Sequence, residues 1–374
     1  MEALSLQTLL MDQLPTILSR KNFPQYQLKA LSKLSVCRTA ALGGHTQYCA
    51  NGHLNGVWYN SCKHRACPQC RGLASERWLR NTQSVLLDCP HHHIVFTLPH
   101  ALNDLWQHNR ELLAQCLFSA VQATLKQFSK DPRYLNATPG ILSVLHTWGR
   151  NLSLHPHIHT LISHGGINTQ GDWVVPQKKR LFPQKPMMMV YRGKLLASLK
   201  EALATSKLTL PAGRRPHHMR SLFNRLGRQD WVVYCCDRYD HAKGVAKYLA
   251  RYVKGGPIKN QQLKGWDGER VTFSYQSHQT GRRERLRFAI DDFALRLAQH
   301  IPTPGKPMVR YAGLYASGAR KKLNIARAKL DQPLVTKHAL LHWQAYLNEK
   351  GYEPVCKECG LSLFHRDEVA IKRG

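Results

Sequence analysis

Three groups of residues in this chain have the types and spacing for metal and phosphoryl chemistry. The first is the run Leu154-His155-Pro156-His157-Ile158-His159-Thr160-Leu161-Ile162-Ser163. Side chains alternate along a strand, so His157 and His159 share one face and Ile158 takes the other. Two imidazoles side by side on a rigid strand are half of a metal site. In a chain with 21 His, an incidental surface pair is the competing reading. The second group lies in the helical run Lys243 to Lys254, ended by Gly255-Gly256-Pro257. Tyr248 and Tyr252 are one turn apart and share a face, with Lys247, Arg251 and Lys254 around them. The competing reading is a pair of core aromatics.

The third group is cysteine-dense: Cys37, His45, Cys49, His53, Cys62, His64, Cys67 and Cys70. A Cys-x2-Cys knuckle such as Cys67–Cys70 turns tightly enough to present two thiolates to one tetrahedral ion. Cys49-Ala50-Asn51-Gly52-His53 supplies a second pair at a separation usual for structural zinc. Mixed Cys/His donors suit Zn2+. Cys49, Cys67 and Cys70 are expected as ligands, His53 or Cys62 as the fourth, and His45 and His64 as further candidates. Arg65, Arg71, Arg77 and Arg80 follow closely and suit the module to phosphate contacts. Near the end, Cys356-x2-Cys359 stands apart, either half of a metal site completed from elsewhere or a pair of free thiols.

Composition supplies the substrate class. Lys and Arg number 54 against 23 Asp and Glu, a net charge of +31 spread over 374 residues. A folded chain with such a field needs a polyanion, nucleic acid first and an anionic membrane surface second. The sequence has no run of 18 or more apolar residues to span a bilayer. Early Glu2 and later Arg20-Lys21 are in the wrong order for a signal peptide, so a cytoplasmic, nucleoid-associated protein is expected. Eleven Cys in a reducing compartment point to metal ligands or buried thiols. Neither a Walker loop nor a G-x-G-x-x-G run is present, which disfavours nucleotide cofactors.

Periodicity places these groups on elements. Residues 6–35 read as two helices divided near Pro24, and 73–88 as another. His91 to Pro99 reads as a strand, Leu102 to Phe128 as a long helix, and Ile141 to Trp148 as a strand paired with His157–Ser163 in a hairpin. Short strands are expected at Trp173–Val175, Trp231–Cys236, Val271–Tyr275 and Leu286–Ile290, with helices at Leu195–Leu203 and Phe293–Ile301. The basic stretch 211–220 reads as a linker or DNA-facing loop. The expected divisions are 1–36 (helices), 37–84 (zinc module), 85–260 (a core with the His-x-His strand and the tyrosine helix) and 261–374 (a basic, mixed C-terminal region).

Together these pieces imply metal-assisted cleavage of a phosphodiester by a tyrosine. A cation held by imidazoles neutralises charge developing on the phosphate. A phenolate attack then stores the bond energy as a phosphotyrosine, so rejoining needs no ATP. A free phenol has a pKa of about 10, so the ion and nearby Lys and Arg must favour the phenolate.

The ordered motifs resemble a known family. Phe96-Thr97-Leu98-Pro99 is similar to the first motif of rolling-circle initiators, His157-Ile158-His159 to their His-hydrophobic-His metal motif, and Tyr248-x3-Tyr252 to their two-tyrosine motif. Three further phrases resemble rolling-circle transposases of the insertion sequence 91 type. They are Asn60-Ser61-Cys62-Lys63-His64-Arg65-Ala66-Cys67-Pro68-Gln69-Cys70, Leu145-His146-Thr147-Trp148-Gly149-Arg150-Asn151-Leu152 and Tyr248-Leu249-Ala250-Arg251-Tyr252. The resemblance covers about Leu34 to Ala326. One departure is Cys49-x3-His53 where the family often has Cys-x2-Cys.

This resemblance implies an α+β fold, with an HUH-endonuclease core of antiparallel sheet flanked by helices, a small N-terminal zinc module and a mixed C-terminal region. It implies a transposase that nicks and rejoins single-stranded DNA at element ends and target, using Mg2+ or Mn2+ for catalysis and Zn2+ for structure. Tyr248 or Tyr252 attacks and the other accepts the second strand. Lys247, Arg251 and Lys254, with Arg65 and Arg71, contact DNA. A third ligand from a neighbouring strand is expected, His146 first, with His155, His164 and Gln276 as further options. A replication initiator or relaxase would share this chemistry. A zinc-containing DNA-binding regulator would share the charge but form no covalent adduct.

Overall fold

The computed structural model describes residues 4–178, 180–240, 244, 256–277, 279–336 and 339–369, with the side chains of 237 and 365–369 left out. The tyrosine run 245–255, with Lys247, Tyr248, Arg251, Tyr252 and Lys254, therefore lies outside the described residues.

Helices α1 (Leu6–Arg20) and α2 (Gln25–Ser35) open the chain. Ser5 caps α1 through a reciprocal capping box with Thr8. A ribbon follows, β1 (Gly44–Tyr48) and β2 (Leu54–Tyr59), then α3 (Arg71–Val85). The central part comprises β3 (His91–Thr97), α4 (Asn103–His108), α5 (Arg110–Lys130), β4 (Thr138–Trp148), β5 (Leu154–Ile167) and β6 (Trp173–Val174). It continues with α6 (Gln184–Ala204), α7 (Pro216–Gly227) and β7 (Val233–Tyr239). Then come β8 (Leu263–Trp266), β9 (Arg270–Gln276), β10 (Arg283–Ala289), α8 (Ile290–Gln299), β11 (Val309–Gly313), α9 (Arg320–Lys329), α10 (Trp343–Asn348) and β12 (Phe364–Val369).

The architecture is α+β. The main sheet is antiparallel with strand order β11-β4-β5-β3-β7, and β6 pairs with β5. Ile94, Phe96, Ile141, Leu145, Ile158 and Ile162 form its apolar face, packed on Leu117, Val121 and Leu125 of α5, Met187, Tyr191 and Leu195 of α6, and Phe223 of α7. On the other face Leu142, Val144 and Leu161 pack under Leu79 of α3 and Leu323 of α9. The sheet is thus buried on both sides, and imidazoles on the second face are shielded from water. A third core joins α1 and α2 to β9, β10 and α8, and takes in Cys37, Cys62, Cys67 and Leu152.

Several expectations change. The long helix breaks at Asn109, whose buried side-chain amide donates to the Leu105 and Thr209 carbonyls and accepts from the Thr209 N–H. The stretch 211–220 is not all loop, because Pro216 begins α7 at the position where its missing N–H costs nothing. The C-terminal region 261–374 is distributed: β11 borders β4 in the main sheet, while β12 borders β1 in the order β12-β1-β2.

Candidate metal centre and zinc module

His157 and His159 lie on β5. His146 on β4 stands directly opposite His157 in the register, which brings its side chain to the same face. The ligand atoms of the three rings lie within 4.8 Å of one another, and all three residues are buried. A backbone carbonyl sets the His157 tautomer. His157 Nδ1–H donates to the His155 carbonyl at 2.6 Å, which turns Nε2 inward to 3.0 Å from His159 Nε2. His159 Nδ1 is 2.8 Å from His93 Nε2, and His93 Nδ1 is 3.4 Å from Cys236 Sγ. The relay runs in either of two directions; in the one that lets His159 Nε2 ligate, His159 Nδ1–H donates to His93 and His93 Nδ1–H donates to the Cys236 sulfur.

Burial pushes His157 and His93 down to about 4, and holds His146 and His159 well below the usual imidazole range. The rings are therefore neutral at pH 7, the form that offers a lone pair to a metal. An octahedral ion with bonds of about 2.1 Å holds neighbouring ligands about 3.0 Å apart, so the His157–His159 spacing fits such an ion.

The other ligand options make contacts elsewhere. His155 Nδ1 pairs with His100 at 3.0 Å, and the strand runs on through Pro156. His164 Nδ1 pairs with His92 at 2.7 Å. Gln276 donates to the Gly281 carbonyl at the β9–β10 turn. His93 was legible only as part of the His91-His92-His93 run. Its place beside His159 follows from strand order.

The N-terminal thiols, expected to serve one ion together, divide between two groups. Cys37, Cys62, Cys67 and Cys70 gather at the foot of α2 and the start of α3. Their sulfurs approach at 3.4 Å (Cys37–Cys70), 3.5 Å (Cys67–Cys37) and 3.6 Å (Cys62–Cys70). The Cys62 and Cys67 contacts lower Cys37 to about 7, and the Cys37 contact leads those that hold Cys70 low. Such sharing of protons among four sulfurs is what a tetrahedral Zn2+ replaces. Cys37, beyond knuckle spacing, completes this group of four sulfurs.

Cys49 and His53 are not in this group. They sit at the β1–β2 turn and gather with Cys356 and Cys359. His64 Nδ1 accepts the Ala66 N–H, and His45 lies on β1 opposite Trp58. Arg65 and Arg71 are half-buried, and burial lowers both guanidiniums. Arg77 donates to the Leu341 carbonyl, and Arg80 pairs with Glu349 and Glu76, so these two hold the C-terminal segment.

Strand β7 carries the chain from beside β3 toward the tyrosine run. The chain re-enters at Gly256, packed so closely on the Ala66 carbonyl that a β-carbon would collide with it. Ile258 is then buried with Cys62 and Cys67. The described residues that flank this run in sequence lie beside His93 on one side and against the zinc module on the other.

Fold and side chains together define a zinc-module α+β protein with a buried imidazole centre on its main sheet. A family model described as "Transposase zinc-binding domain" matches residues 9–98, and one described as "Putative transposase" matches residues 140–323. "Putative transposase y4qJ" of Sinorhizobium fredii is 32% identical over 302 residues, covering 79% of this chain and 76% of the relative. The transposase for insertion sequence element IS801 of Pseudomonas savastanoi pv. phaseolicola is 32% identical over 298 residues, 78% of this chain and 70% of the relative. The chain belongs to this family of insertion-sequence transposases with the IS91-type zinc-binding domain. Its substrate is DNA, and Zn2+ belongs to its N-terminal domain. Among the described residues no helix is long and apolar enough to cross a membrane.

Proposed function

We propose that this transposase nicks and rejoins single-stranded DNA through a 5′-phosphotyrosine and moves its element by a rolling-circle route. The observation that carries the reading is the convergence of His146, His157 and His159, all neutral and buried, on the sheet face served by His93. These three residues would hold the catalytic ion; of Mg2+ and Mn2+, an all-imidazole donor set favours Mn2+. When bound, the ion polarises a phosphodiester oxygen and neutralises developing charge.

The phenolate oxygen of Tyr248 or Tyr252 attacks phosphorus in line. The bond from phosphorus to the 3′ oxygen breaks, and that oxygen leaves as a 3′ hydroxyl after taking a proton. Attack by a 3′ hydroxyl on the phosphotyrosine reverses the step, releases the tyrosine and joins the strands, with no net change in the number of phosphodiester-type bonds. Lys247, Arg251 and Lys254 hold the phosphates, and Arg65 and Arg71 contribute to DNA contact from the zinc module. The net charge of +31 supports a DNA partner along the whole chain.

The test is a nicking assay on single-stranded element ends. Cleavage is expected with Mn2+ and lost in EDTA or in His157→Ala. Undiminished cleavage by His157→Ala with His159→Ala would contradict the assignment of the centre.

A further inference from the structure

The Cys356-x2-Cys359 knuckle lies outside both family matches, which end at residue 323. The fold places it on the β1–β2 turn. Cys359 Sγ lies 3.5 Å from Cys49 Sγ, and Cys356 Sγ lies 3.7 Å from His53 Nδ1. All four ligand atoms lie within 4.8 Å of one another. A tetrahedron with Zn–S bonds of about 2.3 Å has edges of about 3.8 Å, so these separations suit one ion.

We propose that Cys49, His53, Cys356 and Cys359 bind a second Zn2+ that fastens the C-terminal segment to the N-terminal ribbon.

Both turns are built for the task. Gly52 (φ +82°) lets the β1–β2 turn close, and its N–H donates to the Cys49 carbonyl. Gly360 (φ +74°) does the same for the knuckle, its N–H donating to the Cys356 carbonyl. The Cys356 sulfur accepts the Glu358 N–H at 3.4 Å and the Asn55 amide at 3.2 Å, donors that stabilise a thiolate. Asn55 Oδ1 accepts the Lys357 N–H, so one side chain orients both halves. With Nδ1 facing the thiols, His53 Nε2 lies 3.6 Å from the Glu358 carboxylate. A carboxylate on the far nitrogen fixes a ligating imidazole and raises its basicity.

Packing alone offers little here. The local core consists of Cys49, Cys356 and Leu363, with Cys359 against it. Its partners are about 300 residues apart in sequence. The ribbon β1–β2 is two-stranded unless β12 joins it, with Gly44 opposite Val369 and Tyr48 opposite Phe364. Two strands by themselves are marginal in water. An ion at the end of this ribbon supplies the missing cohesion.

Cobalt substitution of the full chain tests the site. Thiolate-to-cobalt charge-transfer bands report only sulfur-ligated ions, so a cation at the His centre does not contribute. Two sulfur-ligated Co2+ per chain are expected for the native protein. Cys356→Ser with Cys359→Ser should leave one, and Cys37→Ser should leave the other. His53→Cys should keep two and shift the bands toward an all-thiolate site. Hydrogen exchange supplies an independent readout: the double serine variant should lose amide protection in 44–48 and 364–369 while 154–167 keeps its own. One sulfur-ligated ion in the native chain, or two retained in the double variant, would overturn the proposal.

Discussion

His157 Nε2 and His159 Nε2 face each other at 3.0 Å, each ring turned there by a contact to its other nitrogen. The His155 carbonyl holds one ring and His93 the other, and with both Nε2 atoms deprotonated the two lone pairs can be shared by one cation.

In the proposed centre His93 is a positioning residue. His93→Ala should weaken Mn2+ binding by about 10- to 100-fold, with cleavage restored at saturating Mn2+. His93→Gln, which keeps an acceptor for His159 Nδ1–H, should recover part of the affinity. Calorimetric titration of both variants is the check. Equal Mn2+ affinity in His93→Ala and the native chain would remove His93 from the site.

Tyr191 offers a control for the nucleophile. It is fully buried, its hydroxyl donates to the Thr97 carbonyl at 3.0 Å, and burial raises its pKa. Such a phenol does not ionise to attack DNA. Tyr191→Phe should cost about 1 kcal/mol of stability and leave covalent adduct formation intact at a temperature where the variant is folded. Loss of the adduct in a folded Tyr191→Phe protein would mean that a core residue had been misread.

The neutral histidines also fix a pH dependence. Burial lowers His91 and His300 to about 4, from an ordinary value near 6.5. Both are satisfied as neutral rings: His91 Nδ1–H donates to the Cys89 carbonyl and Nε2 accepts from Tyr315, while His300 Nε2–H donates to the Leu152 carbonyl. Between about pH 4 and 6.5 the unfolded chain binds more protons than the folded one, so stability rises with pH in that window. The contribution is complete above 6.5 and is lost as pH falls toward 4. Unfolding by urea at pH 6.0 and 7.5 should differ by roughly 1 kcal/mol for each such histidine. His300→Gln should reduce the difference, and a flat profile would contradict the assignment of neutral rings.

What was readable in the sequence depended on distance along the chain. The β4–β5 hairpin and the shared face of His157 and His159 follow from local alternation and a short turn. The face of His146 follows as soon as the hairpin register is known, since it stands opposite His157. His93 needs the strand order β5-β3-β7, which no local pattern carries. The break at Asn109 depends on Thr209, about a hundred residues away. The thiols show the same limit: spacing identified the Cys67–Cys70 knuckle, but Cys37 joins it only through the packing of α2, and Cys49 leaves it for a partner at the far end of the chain.

The central claim is a covalent link between DNA and one of two tyrosines. The most direct measurement is incubation of the Mn2+-loaded transposase with a 5′-labelled and a 3′-labelled single-stranded element end, followed by peptide mapping of any cross-linked adduct. Label from the 3′ side of the nick should remain on protein, on a peptide containing Tyr248 or Tyr252, and Tyr248→Phe with Tyr252→Phe should abolish it. An adduct on any other residue, or an undiminished adduct in the double variant, would contradict the account.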